Sequence, residues 1–300
     1  MEIVAVGATR DAVGESPFWN ADTSTLHWVD IAGRKIRSHC FADGSAASRD
    51  TGDFPTALAL STATRGIVSF GQGVMRYDFL SGAMSPLAAP ESARPLMRLN
   101  EGKCDPRGRF WSASMDNNLN PDATPREMQN WCGGLYRITA DGAIKRFGAA
   151  DLGIPNTMAW SPDRKHFYFG DSMRNIIHVW DYDDASGEID NRRVFVEGGP
   201  GGPDGSTMDS EGCLWNARFG GGQVIRFDPD GRIERILKMP VSNPTACTFG
   251  GRDLKTLFVT SSHYGLPPEA IARNSLEGAL FGVDTDIRGQ AENYWREAAA

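Results

Sequence analysis

The segment TMAWSPDRKHFYFGDS (residues 157–172) reads as a short strand, a polar turn and a second strand rich in aromatic and β-branched residues. Five further copies of this unit are PFWNADTSTLHWVDI (17–31), ALALSTATRGIVSF (57–70), GKCDPRGRFWSASM (102–115), STMDSEGCLWNARF (206–219) and ACTFGGRDLKTLFVTSS (246–262). Equivalent residues in the second strands are separated by 40, 43, 57, 47 and 43 positions. Strand repeats of about 40–50 residues are typical of a β-propeller, in which each repeat forms one blade.

Each unit continues into further strands. A third strand follows every copy, as in KIRSHCF (35–41), and a fourth follows most copies, as in RRVFVEG (192–198). The sequence therefore predicts an all-β, six-bladed propeller with four strands per blade. Because each blade can bury its faces only against its neighbours, we expect residues 1–300 to form a single domain. We expect EIVAVG (2–7) to close the ring by pairing into the last blade.

Composition excludes several classes of partner. The formal net charge is −7 and basic residues do not cluster, so a nucleic-acid partner is not expected. No apolar run is long enough to span a membrane, and the first residues do not resemble a signal peptide. We expect a cytoplasmic monomer or weak homodimer with free, mostly buried thiols, although one external disulfide stays open. The five cysteines are Cys40, Cys104, Cys132, Cys213 and Cys247.

Oxygen-bearing side chains recur at one position in four of the six units. Each lies four residues before the end of the first strand; the four are Glu15, Asn100, Asn156 and Asp204. In a propeller these strand starts converge on the central channel at one face. Because burying such groups without partners costs several kcal/mol, a bound cation would compensate for their burial.

The chemistry of these four residues favours a particular kind of ion. Two carboxylates and two amides are hard oxygen donors, and no Cys or His shares their position. Two negative charges match a divalent cation, for which Ca²⁺ is the best choice and Mg²⁺ or Mn²⁺ are alternatives. The other interpretation, that Asn and Asp only form turns at strand starts, stays open.

Two polar insertions interrupt the regular spacing. DNNLNPDATPREMQNW (116–131) lengthens the third unit, and HYGLPPEAIARNSLEG (263–278) lengthens the sixth, where PPEAIARN is predicted to form a short helix. Long insertions at one rim of a propeller often cover a binding site, so we expect lid-like loops. Solvated surface decoration is the alternative.

Five stretches resemble the regucalcin/gluconolactonase family of sugar lactonases, to which senescence marker protein and luciferin-regenerating enzyme belong. They are GESPFWNADTSTLHWVDI, RLNEGKCDPRGRFWSASM, IPNTMAWSPDRKHFYFGDS, PDGSTMDSEGCLWNARFGGGQVIRFDPDG and NPTACTFGGRDLKTLFVTS, in the family's order and across nearly the whole chain. The resemblance implies one divalent ion, Ca²⁺, Zn²⁺, Mn²⁺, Mg²⁺ or Fe²⁺, held by Glu15, Asn156 and Asp204. It also implies that Arg98 and Asn100 contact the substrate.

The third unit departs from the family pattern. Some members carry a Glu that contacts sugar hydroxyls three residues after the Met of this strand, where this chain has Asn118. An amide still forms hydrogen bonds with a hydroxyl, but it neither adds charge nor acts as a base. Glu127 in the same insertion is a candidate to replace that carboxylate.

The resulting hypothesis is metal-dependent hydrolysis of a sugar lactone, in which an aldono- or aldarolactone opens to the sugar acid. The metal is expected to act as a Lewis acid on the carbonyl and Asp204 as the general base for water. Arg98 would pair with a substrate carboxylate if the substrate were an aldarolactone. Three alternatives stay open: a related metal-dependent aryl-ester or phosphotriester hydrolase, a non-enzymatic calcium-binding regulatory protein, and a propeller used only for protein contacts.

Overall fold

Six four-stranded antiparallel sheets form the blades of a propeller in the computed structural model, which describes residues 1–297. The first strands of the blades are β2 (Gly14–Asn20), β6 (Pro55–Leu60), β10 (Met97–Cys104), β14 (Pro155–Trp160), β18 (Gly202–Met208) and β22 (Pro244–Gly250). The second strands are β3 (Thr25–Asp30), β7 (Arg65–Phe70), β11 (Phe110–Asp116), β15 (His166–Asp171), β19 (Leu214–Phe219) and β23 (Thr256–Ser261).

The outer half of each blade has the same regularity. The third strands are β4 (Lys35–Cys40), β8 (Val74–Asp78), β12 (Gly133–Ile138), β16 (Ile176–Asp183), β20 (Gln223–Phe227) and β24 (Leu280–Asp284). The fourth strands are β5 (Ala46–Asp50), β9 (Met84–Ala88), β13 (Ile144–Leu152), β17 (Glu188–Glu197), β21 (Ile233–Lys238) and β1 (Ile3–Val6). The prediction of six blades with four strands each is confirmed.

The ring is closed by the first strand of the chain. β1 pairs antiparallel with β24, so that Ile3 lies opposite Val283 and Val6 opposite Leu280. The sixth blade therefore combines the two ends of the propeller, as the sequence predicts. This pairing replaces two exposed strand edges with ladder hydrogen bonds, which joins the first and last blades without a covalent link.

The core lies between the inner strands. Each first strand packs against the first strand of the next blade, in the order β2, β6, β10, β14, β18, β22 and back to β2. The first and second strands are almost wholly buried, whereas the fourth strands are mostly exposed. Hydrophobic burial therefore holds the blades together around the channel, and the outer strands carry the polar surface.

All six first strands contain a β-bulge at the same level. In each blade the register between the first and second strands shifts by one residue. The residues at these shifts are Ser16 and Pro17, Thr56, Asn100 and Glu101, Thr157, Asp204 and Gly205, and Thr245 and Ala246. A bulge stops ladder pairing locally and changes the direction of side chains. The six bulges therefore set the side chains at one mouth of the channel.

A buried Asp stabilises the turn between the first two strands in the third and fifth blades. Asp105 accepts the indole N–H of Trp111 at 2.9 Å, and Asp209 accepts that of Trp215 at 2.8 Å. Each carboxylate also accepts two backbone N–H groups of its own turn. The similar motifs DPRGRFW and DSEGCLW are thus explained by one turn that anchors a buried Trp.

Both insertions are present, and their role as lids stays a prediction. β11 extends to Asp116, so the first insertion starts one residue later than expected, and Leu119 bridges to Pro125 inside it. The second insertion contains the short helix α1 (Pro268–Arg273), as predicted. All five cysteines are free thiols, three of them buried. Within residues 1–297, no helix has the length and apolarity needed to cross a membrane.

A buried ion pair lies in the channel below the bulges. Lys103 of β10 donates to Glu292 Oε1 at 2.7 Å and to the carbonyl of Ser206 at 2.8 Å. The same Glu292 oxygen accepts the hydroxyls of Thr207 and Thr248. Lys103 is 12% exposed and Glu292 13% exposed, so the pair joins β10, β18 and β22 to residues 289–297 with little contact with solvent.

Breaking this pair should destabilise the fold strongly. We expect Lys103→Met to lower the free energy of unfolding by about 3–5 kcal/mol, because Glu292 would remain buried without its counter-charge. The double variant Lys103→Met/Glu292→Met should lose less than the sum of the two single variants. Urea-induced unfolding measures both effects.

The control for this experiment is the exposed pair between Lys145 and Glu188, whose atoms lie 2.6 Å apart. Lys145→Met should cost less than about 1 kcal/mol, because water already screens both charges. Equal losses for Lys103→Met and Lys145→Met would contradict a structural role for the channel pair.

A buried histidine should make stability depend on pH. Burial lowers the pKa of His27 from 6.5 to about 4, and its ring packs against Phe79. Below pH 6.5 the unfolded chain binds a proton at His27, whereas the folded protein does not bind it until about pH 4. The free energy of unfolding therefore falls as the pH is lowered from 6.5 to about 4. We expect His27→Phe to reduce this slope by about 1 kcal/mol per pH unit in equilibrium unfolding. Identical slopes for both proteins would disprove the assignment.

Candidate metal and substrate site

A half-buried carboxyl group, Glu15, and a buried one, Asp204, meet at the bulged mouth of the channel. Glu15 is the last paired residue before the bulge of β2, and Asp204 lies within the bulge of β18. Burial raises the pKa of Glu15, and the charge of Glu101 raises it further. Burial also raises the pKa of Asp204 well above its ordinary value, with additional contributions from Glu15 and Glu101. The site therefore concentrates negative charge where water stabilises it poorly.

The backbone around Asp204 is held rigidly. Its carbonyl accepts the Thr157 hydroxyl at 2.6 Å and the Asn216 amide at 2.9 Å. Thr157 adopts φ = 54°, which is unusual for a β-branched residue and marks local strain. Gly205 is required beside Asp204, because a Cβ there would lie 2.4 Å from that of Ala246. These contacts fix the direction of the Asp204 side chain.

One oxygen of Asp204 has no partner within the protein. Among residues 1–297, its Oδ1 is buried and makes no hydrogen bond. A buried carboxylate oxygen without a donor is costly, and such atoms in native proteins usually face a ligand, ion or water. This oxygen is therefore the clearest sign that the channel mouth receives something from outside the chain.

The predicted amides form a hydrogen-bonded chain that reaches the same place. Asn100 Nδ2 donates to Asn156 Oδ1 at 3.1 Å, and Asn156 Nδ2 donates to the Ser172 hydroxyl at 2.8 Å. Ser172 in turn donates to the carbonyl of Pro203, the residue before Asp204. These bonds orient Asn156 with its carbonyl oxygen toward Asn100. That oxygen keeps a second lone pair that is available to a cation.

Arg98 connects this chain to the first insertion. Its Nε and Nη2 both donate to Asn118 Oδ1, at 3.1 and 2.9 Å, and its Nη1 donates to Asn100 Oδ1 at 2.7 Å. Nη1 also donates to the carbonyl of Leu99. Burial lowers the pKa of Arg98 to about 10, which leaves the side chain charged at neutral pH. Four of its five N–H groups are thus committed to the protein.

The structure brings most of the predicted site residues together. Arg98, Asn100, Asn118 and Asn156 share the hydrogen-bonded chain, and Glu15 and Asp204 lie beside each other. Glu127 lies apart from them: it is exposed, and its backbone carbonyl accepts the Gln129 side chain. No contact of Glu127 with the chain around Arg98 occurs among the described residues, so its role in substrate binding stays a prediction.

Two charged residues beside the site, Glu101 and Lys103, are not among those predicted from the sequence. Glu101 shares the β10 bulge with Asn100 and is buried, and burial raises its pKa. Lys103 lies two positions further along the same strand. A charged residue within an otherwise buried strand was the available signal, since such a residue needs a partner. The bulge places Glu101 near the mouth, which strand alternation alone would not predict.

The charges and donors at this site suit a divalent ion. Within residues 1–297, no three His, Cys, Asp or Glu side chains converge closely enough to hold a metal by themselves. A cation would therefore need the amide oxygen of Asn156 together with Glu15 and Asp204. The ionisable groups in this part of the channel are four carboxyls and two cations: Glu15, Glu101, Asp204, Glu292, Lys103 and Arg98. When all six groups are ionised their net charge is −2, which one divalent cation would neutralise.

Comparison with known proteins shows the family. Residues 13–263 match the family model described as the SMP-30/gluconolactonase/LRE-like region. The chain belongs to this family, as its motifs predict.

Relatives and solved structures agree with this assignment. The L-arabinolactonase of Azospirillum brasilense is 34% identical over 289 residues, which cover 94% of this chain and 92% of the relative. The 6-deoxy-6-sulfogluconolactonase of Pseudomonas putida is 31% identical over 282 residues, covering 93% and 94%. The crystal structure of a calcium-binding protein, regucalcin, from Agrobacterium tumefaciens has a TM-score of 0.90 and 29% identity, covering 97% of this chain and 96% of that one.

Substitution of Glu15 should separate charge repulsion from ion binding. We expect Ca²⁺ at 100 times its dissociation constant to stabilise the wild-type protein by about 2.7 kcal/mol. Glu15→Gln should leave the metal-free protein equally or more stable, because it removes a buried repulsion, yet lose at least about 1 kcal/mol of the Ca²⁺ effect. Thermal unfolding with and without the ion gives both numbers.

The matched control is Glu188→Gln, which makes the same chemical change on the exposed β17. It should retain the full Ca²⁺ effect. The same titration with Mg²⁺, Mn²⁺ and Zn²⁺ would rank the ions. A Ca²⁺ effect that survives Glu15→Gln unchanged would place the ion elsewhere.

Proposed function

We propose that this chain hydrolyses sugar lactones in a metal-dependent reaction, opening the ring to the sugar acid. The observation that carries the proposal is the buried, unpartnered Oδ1 of Asp204 beside Glu15. Ser172 and Pro203 connect this residue to a chain of amides that can bind hydroxyl groups. The names of two relatives, an L-arabinolactonase and a 6-deoxy-6-sulfogluconolactonase, support the same reaction class.

Glu15, Asn156 and Asp204 would hold the ion. When bound, a divalent cation supplies positive charge that polarises a carbonyl oxygen and stabilises the negative charge developing on it. The raised pKa values of Glu15 and Asp204 support this ligand set, because burial and the neighbouring carboxyl Glu101 destabilise their negative charge, which a bound cation would stabilise. Ca²⁺ is our first choice, since the donors are all oxygen atoms.

Asp204 is our candidate general base. Its Oδ1 would accept a proton from the attacking water as the water oxygen forms a bond to the lactone carbonyl carbon. The carbon–oxygen bond of the ring then breaks, and the ring oxygen receives the proton that Oδ1 took from the water, which gives a hydroxyl and a carboxyl group. The hydrogen bonds from Thr157 and Asn216 to the backbone of Asp204 would hold the base in one orientation.

The hydrogen bonds that Arg98 already donates favour an uncharged lactone over an aldarolactone. A substrate carboxylate is best bound by two parallel N–H groups of one guanidinium. Four of the five N–H groups of Arg98 already bond to Asn118, Asn100 and the backbone, so it does not offer that pair. Its remaining N–H suits a single neutral oxygen, which favours aldonolactones.

A panel of lactones in a pH-indicator assay tests this function. We expect chelator-sensitive hydrolysis of aldonolactones, with kcat/KM at least about 10-fold higher than for the matching aldarolactones. Asp204→Asn should lower kcat by about 10²–10⁴-fold, the usual contribution of a general base. Metal-induced thermal stabilisation of the same variant shows whether the ion still binds.

Asp190→Asn is the control, since Asp190 is exposed on β17. It should retain wild-type kcat. Near-native turnover of Asp204→Asn would remove Asp204 from the mechanism. Hydrolysis of aryl esters or phosphotriesters without any lactone hydrolysis would assign the chain to the other class of metal-dependent hydrolases.

A further inference from the structure

Tyr264 of the second insertion lies at the same mouth of the channel. Its backbone N–H donates to the carbonyl of Ala12 at 3.0 Å, three residues before Glu15. A bridge between Val13 and Ser262 holds the two segments together on either side of this bond. The position of Tyr264 is therefore set by the contact between the sixth and first blades and not by the loop alone.

The ring of Tyr264 is packed, whereas its hydroxyl has no partner. The ring is half-buried against the apolar cluster that contains Phe54 and Leu119, a residue of the first insertion. The hydroxyl oxygen is fully buried and makes no hydrogen bond with any residue among 1–297. A buried phenol normally finds a hydrogen-bond partner, and its absence points to a partner from outside the chain.

The polar neighbours of Tyr264 already have other bonds. The apolar cluster around the ring includes Leu119, the residue after Asn118, whose Oδ1 accepts two N–H groups of Arg98. Burial raises the pKa of Tyr264, while the charge of Arg98 lowers it and that of Asp122 raises it. Asp122 accepts the hydroxyl and the backbone N–H of Thr124. Arg98 retains one N–H that no atom in the described chain accepts. The Tyr264 hydroxyl and this N–H of Arg98 are thus two polar groups on the side of the first insertion that have no partner within residues 1–297.

We propose that Tyr264 is a substrate-contacting residue whose hydroxyl, with the remaining N–H of Arg98, binds one hydroxyl of the sugar lactone. The inference rests on the proposed function and adds a determinant of specificity to it. A phenol both donates and accepts, so it pairs with a neutral hydroxyl better than with a cation or an apolar group. The ligand class is therefore a hydroxyl-bearing, uncharged lactone, and Tyr264 disfavours its deoxy analogues.

The experiment combines one substitution with a series of monodeoxy aldonolactones. Tyr264→Phe removes only the oxygen. We expect kcat/KM for the parent lactone to fall about 10-fold, mainly through a higher KM, because the hydrogen bond is made with bound substrate as well as in the transition state. For the one analogue that lacks the contacted hydroxyl, wild type and Tyr264→Phe should have equal kcat/KM. The melting temperature of ligand-free Tyr264→Phe should equal or exceed that of the wild type, because an unpartnered polar group has been removed.

Tyr168→Phe is the matched control, since Tyr168 is a buried tyrosine on β15 in the fourth blade. It should leave kcat/KM unchanged for every lactone. The inference alone would be overturned by either of two results. In the first, the ratio of kcat/KM between wild type and Tyr264→Phe is the same for all analogues; in the second, this ratio equals one for the parent lactone. Absence of lactone hydrolysis by the wild type would overturn the proposed function and this inference together.

Discussion

The repeated mismatch of one residue between the first and second strands is the constraint on which the site depends. A regular ladder would carry paired backbone and alternating side chains up to the end of each blade. The bulges interrupt that ladder at one level in all six blades, so residues such as Asn100 and Asp204 leave the ladder there. Ring closure through β1 and β24 then brings residues from distant parts of the chain within bonding distance.

The electrostatics of the channel follow from this geometry. Carboxyls that the bulges gather at the mouth lose much of their hydration, which raises the pKa values of Glu15 and Asp204. Lys103 offsets part of that charge from within the channel and is itself held by Glu292. The stability of the propeller and the charge at its mouth are therefore linked, because the same ion pair contributes to both.

The blades and most of the site residues can be predicted from the sequence. The orientation of the side chains cannot, for a physical reason. The repeated units predict the blades and place Glu15, Asn100, Asn156 and Asp204 near the start of their first strands. The bulges, which the repeat does not predict, separate them by one step: Glu15 and Asn156 are paired before the bulge, and Asn100 and Asp204 lie within it. The direction in which an amide points depends on partners such as Ser172 and Arg98 from other blades. The position of Tyr264 depends on a contact between the two ends of the ring. The direction of the amides and the position of Tyr264 both depend on residues outside their own repeat, so no local sequence pattern predicts them.

The bulges also occur in blades that contribute none of the predicted ligands. Thr56 in the second blade and Thr245 in the sixth occupy the same level as Asp204, and their hydroxyls bond to neighbouring chain atoms. The backbone thus provides six bulges around one axis, and the residue types within them differ from blade to blade. Single replacements at positions 56 and 245 would therefore change the polar groups at this level while the strands stay as they are. The side chains at the channel mouth can therefore change in evolution while the backbone of the blades is kept.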